Sequence, residues 1–384
     1  MAIVSAREQL GIGRQTAIGS LVAANDMHAL LADAGSFSAS ETVEQILDQG
    51  RRGAEAMDYA AYTGIKSTEI GFDFPMMYGS GTSAAGNTGS LLGILLRNLL
   101  GSSPGTDATD TLQTGRIGST SVHNNYFRLG TSKQYLTIGR RLMLHGAADT
   151  TKDTRFGAAR CNEITISANA GEGFVTCSAS LTAKSETETN MTSLTNGNFK
   201  ATTISDNMAM GWENLQVATY PQKIVDTTVT NIISWEVTLT REASPIYTAS
   251  NSQDYSDIYL GPLEVTFNVV CDIPSNVQLA AWRAGTTGVT QFAVSSGHAT
   301  PTNAAARALV IGMANSTITE SPLEIDTSGS YATVSLTGRG LANKVGVVMQ
   351  PSGNAFTTAT NLNNVSPIEI LIKEVGEGAN APTY

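Results

Sequence analysis

Short runs in which apolar and polar residues alternate cover most of this chain, and Gly, Ser, Thr and Asn separate them. The run GPLEVTFNVV (Gly261–Val270) shows the pattern, since its apolar residues fall on every second position: Leu263, Val265, Phe267 and Val269. A period of two places these side chains on one face of a β-strand, and the separating residues are those that form tight turns. The pattern predicts a mainly β protein.

The segment SLLGILLRNLLG (90–101) departs from this period, because its leucines recur at the spacing of one helical face. Ser90 can cap the start of a helix and Gly101 can end it in the left-handed conformation. A short helix with so much apolar surface must be covered by a sheet or by another subunit. We therefore predict packing or assembly contacts at Leu91, Leu92, Leu95, Leu96 and Leu99.

The second half of the chain repeats this arrangement of strand, turn and helix. After the strand at Gly261–Val270 comes VQLAAWRAG, a short helix with Ser275 as its predicted cap and Gly285 as its stop. Val277 and Trp282 on this helix are further predicted packing or assembly contacts. The two units lie about half the chain length apart.

Each helix is followed by a predicted hairpin. The first spans Cys161–Ser185 with a Gly-Glu-Gly turn at 171–173, and the second spans Ser316–Gly340 with a Ser-Gly-Ser turn at 328–330. Both contain the tripeptide SLT. These parallels favour an internal duplication, and two unrelated β domains that each carry a helix are the alternative.

The fold class that follows is two tandem β-barrel or sandwich units, each with a short flanking α-helix. The stretch 203–223 loses periodicity and contains Gly211 and Pro221, which is typical of a linker. We expect an N-terminal domain at 1–202, the linker at 203–223 and a C-terminal domain at 224–384.

Charge argues against a protein that grips nucleic acid. The 384 residues carry 23 Lys and Arg against 33 Asp and Glu, a net charge of −10, and basic residues form no run. Binding to phosphates by counterion release needs clustered Lys and Arg, so an acidic chain repels a duplex instead.

Candidate chemistry is sparse. The four histidines are scattered, GxSxG is absent, and the glycine-rich runs lack a phosphate-loop ending. The three cysteines, Cys161, Cys177 and Cys271, show no metal spacing and favour a chain that folds in a reducing compartment. We predict no catalytic residue, no cofactor and no metal site, and therefore no enzyme. The first twenty residues lack a signal-peptide core, and Leu91–Leu100 is too short for a membrane span, so neither export by the usual route nor a membrane role is expected.

Several of these segments together resemble a known family. GFDFPMMYG before the Leu-rich helix, YFRLGTSKQYLTIGRRLMLHG (Tyr126–Gly146) and the Cys161–Ser185 hairpin resemble the tail tube proteins, or major tail proteins, of long-tailed, siphovirus-type bacteriophages. The resemblance is best over Gly11–Ser185. It implies a β-barrel or sandwich flanked by a helix, whose copies join edge to edge into rings that stack into a tube and carry DNA to the host.

The resemblance also implies partners and a location. Copies of the chain itself, a tape measure protein and a tail terminator are the expected partners, and viral DNA passes without specific binding. The protein is expected in the phage tail of the virion, after assembly in the cytoplasm of the host bacterium. If the chain holds two tube units, three copies would form a ring with pseudo-sixfold symmetry, and a hexamer is the alternative.

Two segments are expected to be disordered or ordered only on assembly, because they are polar, rich in glycine and aperiodic: residues 1–25 and Ser102–Asn125. Arg7, Glu8 and Arg14 in the first segment are the predicted contacts to a neighbouring ring. A capsid or decoration protein of the phage head is the alternative function. A carbohydrate-binding module is a weaker alternative, since Trp212, Trp235 and Trp282 are widely separated.

Overall fold

The computed structural model describes residues 3–15, 17–22, 27–48, 60–76, 90–101, 122–130, 133–144, 154–170, 174–188, 222–249, 252–272, 276–295, 308–320, 325–326, 333–343, 347–349, 356–358 and 366–375. In this part the chain is mainly β, as the alternating pattern predicts.

Two helices and a series of strands make up the described residues. The helices are α1 (Leu91–Leu100) and α2 (Asn276–Ala284). The strands are β1 (Ile3–Gln15), β2 (His28–Ala29), β3 (Ser38–Asp48), β4 (Ala60–Pro75), β5 (Val122–Phe127), β6 (Tyr135–Leu144), β7 (Thr154–Asn169), β8 (Val175–Ala183), β9 (Glu186–Glu188), β10 (Lys223–Ile224), β11 (Thr227–Thr228), β12 (Ile232–Thr240), β13 (Ala243–Ile246), β14 (Asp257–Leu260), β15 (Glu264–Asp272), β16 (Gly288–Ser295), β17 (Ala308–Ile318), β18 (Ile325–Asp326), β19 (Thr333–Gly340), β20 (Val347–Met349), β21 (Phe356–Thr358) and β22 (Glu369–Val375).

A main layer of antiparallel strands crosses both halves of the chain. Its strands pair in the order β3-β4-β8-β7-β12-β15-β19, and β17 and β18 pair with β19 at the far end. The larger sheet to which this layer belongs has 18 strands, and in the described residues its pairings do not close into a barrel.

A second layer packs behind the first. One part of it has the strand order β2-β1-β6, and β6 pairs with the N-terminal part of β7. The other part has the strand order β16-β17-β22-β5. β7 belongs to both layers. It changes direction at Ala158, which has a φ of 49° and is fully buried.

The core lies between the layers and includes α1. Ser90 accepts a hydrogen bond from the Gly93 amide at 3.1 Å, and Gly101 has a φ of 78°, so the predicted start and stop of this helix are confirmed. Helix α2 also lies where the sequence predicts it, with Gly285 next to its end. Its predicted cap, Ser275, lies outside the described residues. Neither α1 nor α2 is long and apolar enough to cross a membrane.

The predicted hairpins are present, although their turns lie outside the described residues. β7 and β8 pair along their length within Cys161–Ser185. In the second hairpin β17 pairs with β19 only from Ser316 to Ile318, because the start of β17 pairs with β22 and the short strand β18 pairs with the start of β19.

Two expectations of disorder are wrong where the structure describes them. Ile3–Gln15 forms β1, whose residues Glu8–Gln15 pair continuously with β6 of the same chain. The strand was missed because Gly11 and Gly13 interrupt the apolar alternation. Both glycines are buried, and Gly13 lies directly against Val22. Val122–Phe127 forms β5 and pairs with β22. Because this partner lies far away in the sequence, the residues near β5 do not indicate a strand. Most of the predicted linker lies outside the described residues.

Candidate functional site

The outward face of the main layer is polar and runs unbroken across both halves of the chain. One row of paired residues crosses five neighbouring strands from Asp73 through Ser178, Thr165 and Thr238 to Thr266. The next row contains Thr176, Ser167, Glu236 and Asn268. Short hydroxyl side chains therefore dominate a broad surface whose opposite side is apolar core.

The charges on this face are almost all negative. Six carboxylates project from it, and Arg339 is its one basic residue in the described strands. Arg339 is itself paired with Glu264 at 2.7 Å. The carboxylates belong to Glu69, Asp73, Glu163, Glu236, Glu264 and Asp272. The carboxylates of such a surface repel the phosphates of a nucleic-acid duplex, and its neutral hydroxyl groups bind them only weakly.

The two halves meet at a seam in the middle of this face, where β7 pairs with β12. The pairing runs from Glu163 opposite Thr240 to Asn169 opposite Ser234. Thr165 and Thr238 share a hydrogen bond at 3.1 Å on the polar side. Val237 and the other inward side chains of the seam are fully buried. The seam is thus a continuous piece of sheet.

Arg241 reinforces the seam from the core side. Its guanidinium donates to the carbonyl oxygen of Leu99 at 2.8 Å and to that of Gly261 at 2.9 Å. Leu99 is in the last turn of α1, where carbonyl oxygens lack helical partners and a positive charge is favourable. The second half of the chain therefore completes the end of the helix in the first half.

A hairpin arm from the second half also packs on the first half. This second arm consists of β13, β14 and the flanking residues Tyr247 and Tyr255. Tyr255 is fully buried and donates to the carbonyl oxygen of Ala158 at 3.0 Å. Near the tip of the arm, Ser185 donates its hydroxyl to Asp254 at 2.6 Å.

Asp257 anchors the side of the second arm. Lys133 lies 2.6 Å from one of its carboxylate oxygens, and the hydroxyl of Tyr135 donates to the other. Burial alone would raise the pKa of Asp257, but the hydrogen bonds from Lys133, Tyr135 and the Ile258 amide outweigh burial and lower it. Burial, followed by the bond to Asp257, raises the pKa of Tyr135 to about 12.

The corresponding hairpin of the first half carries exposed apolar residues. We call its outer part, Gln45–Asp48 of β3 with Ala60–Ile65 of β4, the first arm. Four large apolar side chains project from it, with exposed fractions of 51% for Ile46, 48% for Leu47, 58% for Tyr62 and 46% for Ile65. Gln253 of the second half donates to Thr63 in this arm at 2.7 Å, but it leaves the four apolar side chains about half-exposed.

The main layer also ends in strands with one partner each. β3 pairs only with β4 in the described residues, and β18 pairs only with β19. A strand edge that is left open is a template for pairing with another chain.

The structure places the leucines predicted as packing or assembly contacts inside the chain. Leu92, Leu95, Leu96 and Leu99 are fully buried in the core, and Leu91 is half-buried against it. On α2, Val277 is 52% exposed, and Trp282 is partly buried and packs on the core. A role for these residues in assembly stays a prediction.

The residues predicted to reach a neighbouring ring all lie in β1. Glu8 forms an ion pair with Arg140 of β6 at 2.7 Å. Arg14 is exposed and lies near Arg97, whose pKa falls to about 10 because of burial and the charge of Arg14. Arg7 belongs to the same strand. Their inter-ring role also stays a prediction.

The residues of the polar face were missed at the level of sequence, although a signal existed. Ser and Thr alternate with apolar residues in TISAN, TCSASLT and SWEVTLT, which already shows one small, polar face on each strand. No group of acidic, His and Cys residues that could hold a metal ion occurs in the part of the chain that the structure describes.

Comparison with known proteins identifies a matching family. The sequence model of the family described as phage tail tube protein matches residues 5–340. A search of curated proteins found no match.

Proposed function

The chain belongs to the phage tail tube protein family, and on that basis we propose that its copies close into stacked rings whose inner surface is the polar face of the main layer. Membership makes it a structural protein of the virion tail that assembles with copies of itself into a tube. The alternative of a head protein is set aside, because the matched family is a tail family.

The observation that carries the proposal is the continuous, acidic face of Ser and Thr. A conduit for DNA must not hold phosphates, since each contact with Lys or Arg adds binding energy through counterion release. Among the described side chains, the face has six carboxylates and one arginine, which is already paired with Glu264. DNA would slide along such a wall on its way to the host.

We further propose that the two halves are tandem copies of one tube unit. Strand order supports this, because β3-β4-β8-β7 in the first half matches β12-β15-β19-β17 in the second, with a helix after β4 and after β15. The boundaries stay as predicted, with units at 1–202 and 224–384. The seam between β7 and β12 is then the contact that recurs around the ring.

Three copies complete such a ring. Each copy contributes seven strands of the main layer plus the segment at β18, and the open edges of β3 and β18 would pair between neighbours as β12 pairs with β7. About 24 strands at a spacing of about 4.8 Å and a tilt of about 40° have a circumference of roughly 150 Å. That encloses a bore wider than those of 16- to 18-stranded porins, which are already water-filled channels. A hexamer would enclose a far larger space than a duplex needs.

Site-directed labelling of assembled tubes tests the orientation of the face. Glu236→Cys places a thiol on the polar face, and Ala280→Cys places one on the exposed side of α2 as the matched control. The native cysteines are buried, and burial raises the pKa of Cys161 to about 12, so they contribute little background. A maleimide on a bulky polymer should label both variants before assembly and only Ala280→Cys in tubes. Equal labelling of Glu236→Cys in tubes would overturn the proposal.

The mass of a single ring tests the stoichiometry. Native mass spectrometry should give three times the mass of the 40.2 kDa chain. Six times that mass would favour the hexamer. Assembly in the host cytoplasm, a tape measure protein and a tail terminator stay proposals that rest on the family.

A further inference from the structure

The two hairpin arms differ in what lies beneath them. The second arm rests on the first half of the same chain, through the buried Tyr255, Ile258 and Leu260. The first arm touches the second half only through polar contacts in the described residues: Gln253 donates to Thr63 at 2.7 Å, and the apolar side chains of Leu47 and Tyr62 stay about half-exposed. A difference of this kind between two equivalent parts indicates a partner that the single chain does not contain.

The registers of the strands show which residues correspond. Leu181 and Leu336, from the shared SLT tripeptide, pair with Ile70 of β4 and Val269 of β15. On the other side of β4 and β15, β3 and β12 continue outward into the first and second arms. Both arms thus leave the main layer at the same place.

Counting outward from the bend aligns the arms pair by pair. The first pairs are Gln45–Thr63 and Ala243–Leu260, the second are Ile46–Tyr62 and Ser244–Tyr259, and the third are Leu47–Ala61 and Pro245–Ile258. Tyr62 and Tyr259 agree in exposure, at 58% and 59%. Leu47 therefore occupies the face that the second arm buries, and it is 48% exposed.

The surface beneath the second arm has an open counterpart in the second half. The second arm covers Ala158 of β7, Tyr135 at the start of β6 and Ser185 after β8. The same positions in the second half fall at 317–319 at the end of β17, at 286–288 where β16 begins and at 340–342 where β19 ends. We call these three segments the acceptor surface. Thr286, Thr319 and Ala342 in it are exposed.

We propose that the first arm of one copy packs, through the face that carries Leu47, onto the acceptor surface of a neighbouring copy. The inference rests on the proposed ring and names a contact that closes it. An arm whose apolar face is open and an acceptor surface that no arm covers, both on the same chain, form a heterologous interface, which repeats from copy to copy until the ring closes. Leu47 would gain the burial that Ile258 and Leu260 already have.

Two matched substitutions in the first arm test the contact. Leu47→Glu should leave the thermal unfolding midpoint of the unassembled chain unchanged, because Leu47 is exposed there, and should abolish rings in native mass spectrometry. Tyr62→Glu puts the same charge on the face whose counterpart, Tyr259, stays exposed, and rings should persist. Rings formed as readily by Leu47→Glu as by the unmodified chain would overturn the inference.

Mixing identifies the partner surface. Thr319→Glu charges the acceptor surface and should also abolish rings on its own. In an equal mixture, the intact arm of Thr319→Glu can still bind the intact acceptor surface of Leu47→Glu, so a dimer with one copy of each should appear. A mixture that stays monomeric would contradict the assignment of the acceptor surface. If the unmodified chain itself forms no rings, the proposed function fails, whereas rings from every variant contradict only the arm contact.

Discussion

The two halves of this chain share a strand order but bury different parts of it. The first half encloses its helix, since α1 lies in the core against β5 and β7, while the apolar side chains of its arm are about half-exposed. The arm of the second half is covered by the first half of the chain, whereas one side of α2 faces solvent, where Val277 is 52% exposed. The difference teaches that a repeated sequence pattern places an element in the fold, whereas the residues around it decide how deeply it is buried.

The two helices should differ most in how much stability is lost when an apolar side chain is truncated to alanine. Leu96→Ala in α1 removes a fully buried side chain, and we expect the free energy of unfolding to fall by about 2–5 kcal/mol. Val277→Ala in α2 should change it by no more than about 0.5 kcal/mol. Denaturant titration of the unassembled protein measures both. Equal losses would show that α2 is as deeply packed as α1.

Asn98 provides the next largest test, because it fixes α1 to the sheet. Its amide donates to the carbonyl oxygen of Gln134 at 2.8 Å, and its oxygen accepts from the Cys161 amide at 2.6 Å. Asn98→Ala leaves these buried groups without their partner and should cost about 1–3 kcal/mol. Asn98→Asp keeps the acceptor for Cys161 but sets a buried carboxylate against the carbonyl oxygens of Gln134 and Ala159, so it should cost at least as much. A neutral Asn98→Ala in the same titration would mean that apolar packing alone holds the helix.

The cap of α1 should have a smaller effect. Ser90→Ala removes the hydrogen bond to the Gly93 amide and should lower the unfolding free energy by about 1 kcal/mol. Ser90→Thr keeps an oxygen at that position and should recover most of the loss. A calorimetric midpoint that is unchanged by Ser90→Ala would count against the cap.

The smallest expected effect concerns the second arm and alkaline pH. The folded state holds the proton of Tyr135 more tightly, with a pKa of about 12 instead of 10. The unfolded chain therefore loses the proton first, and stability is full below about pH 10 and declines as the pH rises through 12. Because the side chain is half-exposed, we expect a loss of less than about 1 kcal/mol. Tyr135→Phe should remove that slope of the unfolding midpoint with pH, and an equal slope in both proteins would contradict this assignment.

Local patterns in the sequence predict much of the fold. The leucine spacing, Ser90 and Gly101 predict both ends of α1, and alternation predicts β15 and the β7–β8 hairpin. These features depend on neighbours within a few positions, which the sequence displays directly.

The pairings that create the candidate site could not be predicted in this way. β12 pairs with β7, which lies more than 60 residues earlier in the chain, and β5 pairs with β22 near its end. Neither pairing leaves a signal in the residues next to the strand. β1 was misjudged because its buried positions include Gly11 and Gly13, which hydrophobic alternation does not count. Exposure of Leu47 and Tyr62 likewise depends on what covers the arm.

The peptide chain that joins β7 to β12 has a consequence for how the tube grows. Within one molecule the seam forms at an effective concentration set by the connecting segment, so dilution cannot separate its two sides. The contacts between molecules have no such tether and weaken as protein becomes scarce. Every second joint of the proposed ring is thus already made when a newly synthesised chain folds. Only three contacts between molecules remain, of which two need an encounter by diffusion and the third closes the ring.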